Sequence, residues 1–287
     1  MRNEAADITQ FIEDSDAWQD YPTGDGHTVV GTIKVSQTLH GPARGVQRRL
    51  LIYLPPSYFK GDKRYPVLYM HDGQNLFDIV GSYSGEWQVD ETMEALSREG
   101  IEAIVVGVPN SGKGRSTEYS AHKHSRFTGG GGGDAYISFL ADKVKPLIDS
   151  SFRTVTDRSH TGLMGSSMGG SISLYALITR PDVFGFAGVM SPALWWSEGT
   201  IYTLVENSPF AGGRIYMDVG DNETPEIPGR CEAYLNGARR MHALLRAKGY
   251  APEDLLFIVE QGGAHHESAW ARRLPGALRF LLGPICD

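Results

Sequence analysis

Cysteine is nearly absent from this chain, which carries two cysteines, Cys231 and Cys286, in 287 residues. Two thiols cannot build a disulfide framework, so a small disulfide-stabilised scaffold is excluded. Neither cysteine has a histidine partner at a spacing typical of a metal site. We therefore expect two reduced structural thiols, with a disulfide between them as the alternative.

Long apolar runs and an excess of positive charge are also missing. No stretch approaches the ~20 apolar residues needed to cross a bilayer, so we expect no membrane span. The 27 Lys and Arg against 34 Asp and Glu give a formal net charge of −7, and the positive charges are scattered along the sequence. This distribution argues against nucleic acid as a partner.

The N-terminus lacks the basic start and apolar run of a secretory signal and is rich in acidic residues. We therefore expect a cytoplasmic protein, although a secreted form whose signal peptide had been removed would show the same sequence. Residues 1–28 match no pattern that we can interpret, and we treat them as an N-terminal extension. Their role, including any role in homo-oligomer formation, stays open.

The rest of the composition is that of a globular domain, with 41% hydrophobic residues and no linker rich in Pro, Ser or charge. Short β-branched runs alternate with longer helical patterns, which is typical of βαβ units and a mostly parallel sheet. We predict an α/β fold in a single domain over residues 29–287. Its central sheet should have about eight strands, with helices on both faces.

The elements can be placed coarsely. The first two predicted strands alternate apolar and polar residues, as half-buried antiparallel strands do, whereas the later ones are apolar runs that need cover on both faces. The predicted strands are residues 29–36, 47–54, 66–71, 103–107, 159–165, 185–190, 214–219 and 255–259. The predicted helices are residues 91–98, 135–148, 169–179, 232–248 and 269–282.

A glycine-flanked serine follows one of these strands. Residues 165–169 read Gly-Ser-Ser-Met-Gly and lead directly from a strand into a helix. In this context the Gly-x-Ser-x-Gly pattern is typical of a nucleophilic serine, because the strained turn lifts the central hydroxyl above the sheet. Ser167 is therefore the candidate nucleophile of a serine hydrolase.

A serine hydroxyl needs a base, and two histidines follow the last predicted strand. A hydroxyl attacks an ester only when a base accepts its proton and an acid orients that base. His265 comes directly after a glycine-rich turn, whereas His266 begins the next helix. We favour His265 as the base and keep His266 as the alternative.

Three carboxylates lie at or just after the end of the predicted strand 214–219. The acid is expected in this part of the chain, because it should follow the serine and precede the histidine in sequence. Asp218 lies inside the strand, which favours a structural role. Asp221 and Glu223 both lie in the turn that follows. Parallel strands deliver such turns to one edge of the sheet, so either residue can meet the serine and the histidine there.

Attack on an ester also places negative charge on the carbonyl oxygen, which needs hydrogen-bond donors. One donor should be the backbone N–H of Met168, the residue after the nucleophile. The second should come from the loop after an early strand, residues 71–75, where we expect the N–H of Gln74.

Aromatic residues are candidates for binding the substrate. We expect Trp195, Trp196, Trp87 and Tyr119 to wall the cleft, where their faces would suit a feruloyl group, a sugar or a catechol. Packing in the core is the alternative for each of the adjacent tryptophans. Because neighbouring residues on a strand or loop point apart, we expect one of Trp195 and Trp196 inside and one outside.

Two further motifs suggest other chemistry and fail in detail. Residues 107–114 approach a nucleotide-binding P-loop, but Gly114 stands where the magnesium-binding Ser or Thr belongs, and the following residues give little sign of a helix. A helical zinc motif that starts at His266 would need a second histidine at position 270, which is Trp270.

Together these segments resemble the Putative esterase group of α/β hydrolases, which includes enterobactin and other siderophore esterases, esterase D, and feruloyl and acetyl xylan esterases. The resemblance runs from about Arg48 to the C-terminus. Its marks are residues 67–75, 118–120, 165–170, 191–196 and 263–267, together with Trp270.

The resemblance implies an α/β-hydrolase fold and hydrolysis of small-molecule carboxylic esters without a metal or an organic cofactor. Relatives place the acid on the third residue after a strand-ending glycine, which corresponds to Glu223 after Gly220 and favours Glu223 over Asp221. The family's catalytic histidine corresponds to His265. Two alternatives stay open, an acyltransferase that uses the same acyl-enzyme and a binding protein of this fold without activity.

Overall fold

The computed structural model describes residues 18–283 of the chain. The first 17 residues of the predicted extension and Cys286 lie outside this range, and so does the pairing considered for Cys231 and Cys286. No helix of the described part is long and apolar enough to span a membrane.

A nine-stranded sheet forms the centre of the molecule, in the order β1-β2-β5-β7-β6-β8-β9-β10-β11. The strands are β1 (Trp18–Asp20), β2 (Thr32–Ser36), β3 (Leu39–His40), β4 (Gln47–Arg48), β5 (Leu51–Leu54), β6 (Val67–His71), β7 (Ile104–Val108), β8 (Thr161–Ser166), β9 (Phe186–Met190), β10 (Arg214–Gly220) and β11 (Leu255–Glu260). The helices are α1 (Val89–Ser97), α2 (Arg115–Glu118), α3 (Gly133–Phe139), α4 (Lys145–Ser151), α5 (Met168–Thr179), α6 (Thr200–Asn207), α7 (Arg230–Lys248) and α8 (Glu267–Leu282).

The six strands from β6 onward are parallel to their neighbours in this group, while β1, β2 and β5 are antiparallel. The apolar runs require this arrangement, because alternate side chains of one strand enter different cores. Val67 and Tyr69 of β6 join one buried cluster, whereas Leu68 and Met70 join the other. The predicted mostly parallel sheet covered on both faces is confirmed.

The amino-terminal strands differ from the prediction in detail. The predicted strand 47–54 is divided, because β4 pairs with β3 in a separate hairpin while β5 pairs with β2. Strand β1 lies inside the predicted extension and pairs with β2 at the edge of the sheet. Its three residues include two exposed ones, so no apolar alternation marks it in the sequence.

Three helical segments also differ. The predicted helix 135–148 extends from Gly133 to Ser151 and contains a π-helical turn at Leu140–Val144. Helix α6 was not predicted. Helix α2 forms at Arg115–Glu118, where we expected little sign of a helix.

Candidate active site

Ser167 occupies the turn between β8 and α5 with φ 58° and ψ −122°. Residues other than glycine rarely adopt a positive φ, so neighbouring atoms must hold this conformation. The Ser167 N–H donates to the Met190 carbonyl (3.0 Å), and its carbonyl accepts from the Ala193 N–H (3.0 Å). A Cβ at Gly165 would lie 3.0 Å from backbone of Gly169, which is why the turn needs glycine.

Glu223 and His265 form a short pair beside this turn. The His265 Nδ1 lies 2.6 Å from Oε2 of Glu223, and the His265 backbone N–H donates to the Glu223 carbonyl (2.8 Å). Burial raises the pKa of Glu223, but the hydrogen bond and charge of His265, with donors from Ser191 and Gly220, bring the pKa below its ordinary value. A carboxylate bound to Nδ1 leaves Nε2 as the imidazole nitrogen that can serve as a base.

The two alternative residues have other partners. Asp221 is exposed, and its Oδ1 accepts a hydrogen bond from the Gly262 N–H (2.6 Å), so it braces the turn before His265. His266 precedes α8 and caps it, because its Nδ1 accepts from the Ser268 N–H (3.2 Å). The structure therefore brings Glu223, and not Asp221, to His265.

An open cleft of about 890 Å³ joins Ser167 and His265. Its wall also includes Gln74, Trp87, Lys113 and residues from α8. The segment that resembled a P-loop contributes Asn110, Gly112 and Lys113 to this wall.

Of the two predicted oxyanion donors, Gln74 lines this cleft, whereas Met168 directly follows the cleft residue Ser167 and itself lines a smaller cavity beside α5. Met168 is the first residue of α5, where helix geometry leaves backbone N–H groups without a helical acceptor. Gln74 lines the cleft from a single 3₁₀ turn at Gly73–Asn75, and its Oε1 accepts from the Asn110 N–H (3.2 Å).

Two ionisable side chains brace that loop. Asp72 accepts two hydrogen bonds from Arg115 (2.7 and 2.8 Å). Burial raises the pKa of Asp72, but Arg115, together with a hydrogen bond from Asn110, brings that pKa below its ordinary value. His71 lies 2.8 Å from the Tyr136 hydroxyl, and burial lowers its pKa to about 4. His71 is therefore neutral near pH 7, and both side chains stabilise the loop that carries Gln74.

Of the four aromatic candidates, Trp87 alone lines the cleft, and the other three lie in two other places. Trp87 lines the cleft and packs on Trp270 at 5.5 Å between ring centroids. Tyr119 and Trp196 line a smaller cavity of about 30 Å³ beside the first turn of α5. Trp195 packs against Tyr234, beneath the Arg230 guanidinium. Trp195 and Trp196 are both half-buried, so the expectation of one inside and one outside is wrong, because the segment is a 3₁₀ turn rather than a strand.

Tyr234 was missed by sequence reasoning. Its ring lies 4.8 Å from the His265 ring, and Trp270 meets the same imidazole edge-on at 5.0 Å. Burial raises the pKa of Tyr234, although hydrogen bonding with Trp195 and with Ser167 partly opposes this. The helical period of α7 gave no signal, since Tyr234 is also a core residue of that helix.

The residues considered for zinc have hydrogen-bond partners of their own. Glu267 is buried and accepts from Ser84 and Asn75. Within residues 18–283, the one group of three side chains that could hold a cation is Glu86, Asp90 and Glu91. Burial, with the adjacent Glu91, raises the pKa of Asp90 to about 9, so Asp90 is protonated near pH 7 and can donate a hydrogen bond to Glu91.

We predict that Glu223→Gln lowers kcat/KM for p-nitrophenyl acetate by roughly 10²–10⁴-fold, because an amide cannot stabilise the imidazolium that forms on His265. Asp221→Asn is the matched control, and its kcat/KM should stay within about threefold because Asp221 makes an exposed backbone contact. Steady-state kinetics of both proteins test this assignment. A larger loss in Asp221→Asn would reverse it.

Comparison with known proteins identifies the family of this chain. Residues 42–281 match the family described as Putative esterase. The uncharacterized protein YbbA of Bacillus subtilis is 27% identical over 242 residues, which are 82% of this chain and 93% of YbbA. An endo-1,4-beta-xylanase/feruloyl esterase of Xylanibacter ruminicola is also 27% identical, over 83% of this chain and 30% of that protein.

Among solved structures, the siderophore hydrolase EstA from Aspergillus nidulans superimposes with a TM-score of 0.71 at 20% identity, covering 92% of this chain and 98% of EstA. This similarity supports the α/β-hydrolase fold. Since the family match spans most of the sequence, this chain belongs to the Putative esterase family and is a carboxylic ester hydrolase.

Proposed function

We propose that the protein is a serine esterase in which Ser167 is the nucleophile, His265 the base and Glu223 the acid. The observation that carries the proposal is the 2.6 Å contact between Glu223 and His265, in a cleft that Ser167 also lines. Ser167 lies in a strand-to-helix turn that lifts its side chain above the sheet.

The reaction follows from these positions. Ser167 Oγ attacks the ester carbonyl while His265 Nε2 takes the hydroxyl proton, and Glu223 stabilises the imidazolium. The N–H groups of Met168 and Gln74 bind the oxyanion. When the tetrahedral intermediate collapses, the imidazolium returns its proton to the leaving alcohol, and an acyl group remains on Ser167. A water molecule, deprotonated by His265, then attacks the acyl carbonyl. The bond between the acyl group and Ser167 Oγ breaks, His265 returns the proton to Oγ, and the carboxylic acid leaves.

The cleft supports a substrate larger than a simple acetate ester. It combines the aromatic edge of Trp87 and Trp270 with polar groups from Asn110, Lys113 and Gln74. Such a wall suits esters that carry a ring and several oxygens, as in feruloyl or siderophore esters. The names of a feruloyl esterase relative and a siderophore hydrolase neighbour agree with this substrate class.

A substrate panel tests the proposal. We expect the purified protein to hydrolyse p-nitrophenyl acetate and to show a higher kcat/KM, by about tenfold or more, for a feruloyl ester or a catecholate trilactone, since remote contacts lower the barrier. Product analysis with added glycerol distinguishes hydrolysis from acyl transfer. If no ester were cleaved and a fluorophosphonate left Ser167 unlabelled, the protein would be a binding protein of this fold.

A further inference from the structure

The hydroxyl of Ser191, directly after β9, is completely buried and has three hydrogen-bond partners. Its Oγ lies 2.6 Å from Glu223 Oε1, 3.0 Å from Trp270 Nε1 and 2.8 Å from Arg273 Nη2. Indole and guanidinium nitrogens only donate, so both lone pairs of Ser191 are used by Trp270 and Arg273. The single hydroxyl proton is therefore directed at Glu223.

Arg273 on α8 is equally constrained. Its Nε donates to Asp218 (2.9 Å), its Nη1 to Glu260 (2.6 Å) and its Nη2 to Ser191. The guanidinium is a rigid planar fork, so three acceptors in three directions fix its orientation. A lysine ammonium at this position could not reach all three acceptors.

The two carboxylate oxygens of Glu223 consequently have different hydrogen-bond partners. Oε1 accepts from the Ser191 hydroxyl and from the Gly220 N–H (2.6 Å), while Oε2 faces His265. We propose that Ser191, oriented by Trp270 and Arg273, is a positioning residue that fixes the rotation of the Glu223 carboxylate against His265. This proposal rests on the esterase function proposed above.

The backbone of Ser191 supports the same arrangement. Its φ is 39°, and its N–H is shared between the carbonyl of Asp218 (3.0 Å) and that residue's Oδ1 (3.1 Å). These contacts join the end of β9 to β10, the strand that leads to Glu223. Because the end of β9 already holds Ser191 in place, its hydroxyl loses little conformational entropy when it donates to Glu223. It can therefore fix the orientation of that carboxylate effectively.

Removing the hydroxyl should change how the enzyme responds to pH. Without the Ser191 donor, the Glu223 carboxylate is more basic and favours the imidazolium of His265 more strongly. The acidic limb of the profile of kcat/KM against pH should therefore move to higher pH. The other titratable or charged groups that act on this carboxylate are Asp218, Arg273 and Tyr234. Behind them, Tyr216 contacts Asp218 and Glu260 contacts Arg273.

The test uses S191A, with R273K as a second variant that keeps the buried charge and breaks the fork. We expect S191A to lower kcat by about 10- to 100-fold with little change in KM, and to raise the midpoint of the acidic limb by about half a pH unit or more. R273K should also lower kcat and raise the midpoint of the acidic limb, each by a smaller amount. Titration with a fluorophosphonate gives the concentration of active sites and corrects for misfolded protein.

Ser173→Ala is the matched control, because it removes another buried serine hydroxyl, one that donates to the Gly169 carbonyl (2.8 Å). Its pH profile should equal that of the wild type. The positioning proposal would be wrong if S191A and R273K had fewer active sites than the wild type but the same kcat per active site and the same pH profile of kcat/KM. Failure of the esterase function would differ, because the wild type itself would then cleave no ester.

Discussion

Replacing Ser167 by alanine is expected to lower the turnover of p-nitrophenyl acetate by about 10³-fold or more, because the hydroxyl proposed to form the acyl-enzyme is then missing. Alanine has no greater conflict than serine with the backbone angles at this position, so the midpoint of thermal unfolding should change little. Labelling by a fluorophosphonate should disappear with the activity.

The neighbouring Ser166 provides the matched control for Ser167. It ends β8 and is buried, and it precedes the turn rather than occupying it. Ser166→Ala should therefore still react with the fluorophosphonate. The nucleophile assignment is wrong if Ser167→Ala keeps most of its turnover, or if labelling is lost only in Ser166→Ala.

His265→Ala should be comparably damaging, with a loss in kcat of roughly 10³–10⁶-fold, because the serine proton then has no acceptor. His266→Ala separates the two adjacent histidines. The His266 ring caps α8, so its removal should lower the free energy of unfolding by about 1 kcal/mol, and it should reduce kcat by no more than about tenfold.

Kinetics and urea denaturation of the two histidine variants provide the measurement. His265→Ala should lack activity under conditions where urea denaturation shows it fully folded, although loss of the partner of the buried Glu223 carboxylate should lower its unfolding midpoint. The reverse pattern, a stable inactive His266→Ala and an active His265→Ala, would exchange the roles of these residues.

Much of the fold could be predicted because the parallel strands are apolar over their whole length. Strands β6 to β9 are completely buried, and their predicted limits differ from the observed ones by two residues or fewer. Strand β1 could not be found in this way, since its contribution is backbone pairing at the sheet edge rather than burial of side chains.

The candidate site could be predicted to the level of segments. The turn after β8 and the loop after β11 are visible as glycine-rich sequences at strand ends, which identifies Ser167 and His265 as candidates. The residues alone could not separate Asp221 from Glu223, because both follow β10 within one turn. The conformation of that turn decides which carboxylate faces inward, and it depends on the Gly220 N–H donating to Glu223.

Ser191, Tyr234 and Arg273 were inaccessible to sequence reasoning for a different reason. Each looks like an ordinary residue of its strand end or helix, and the contact between Ser191 and Arg273 joins residues that are far apart in sequence. Arg273 is 82 residues from Ser191. Only the packing of α8 against the ends of β9 and β10 brings them into contact.

The backbone angles of Ser167 lower the folding stability of the protein. A non-glycine residue held in a sparsely populated region costs about 1–3 kcal/mol, and glycine at the same position would relieve much of that cost. Folding stability and reactivity therefore make opposite demands on residue 167. Selection for thermostability alone would drive this position toward glycine, and an engineered variant that gained stability there would do so by giving up its nucleophile.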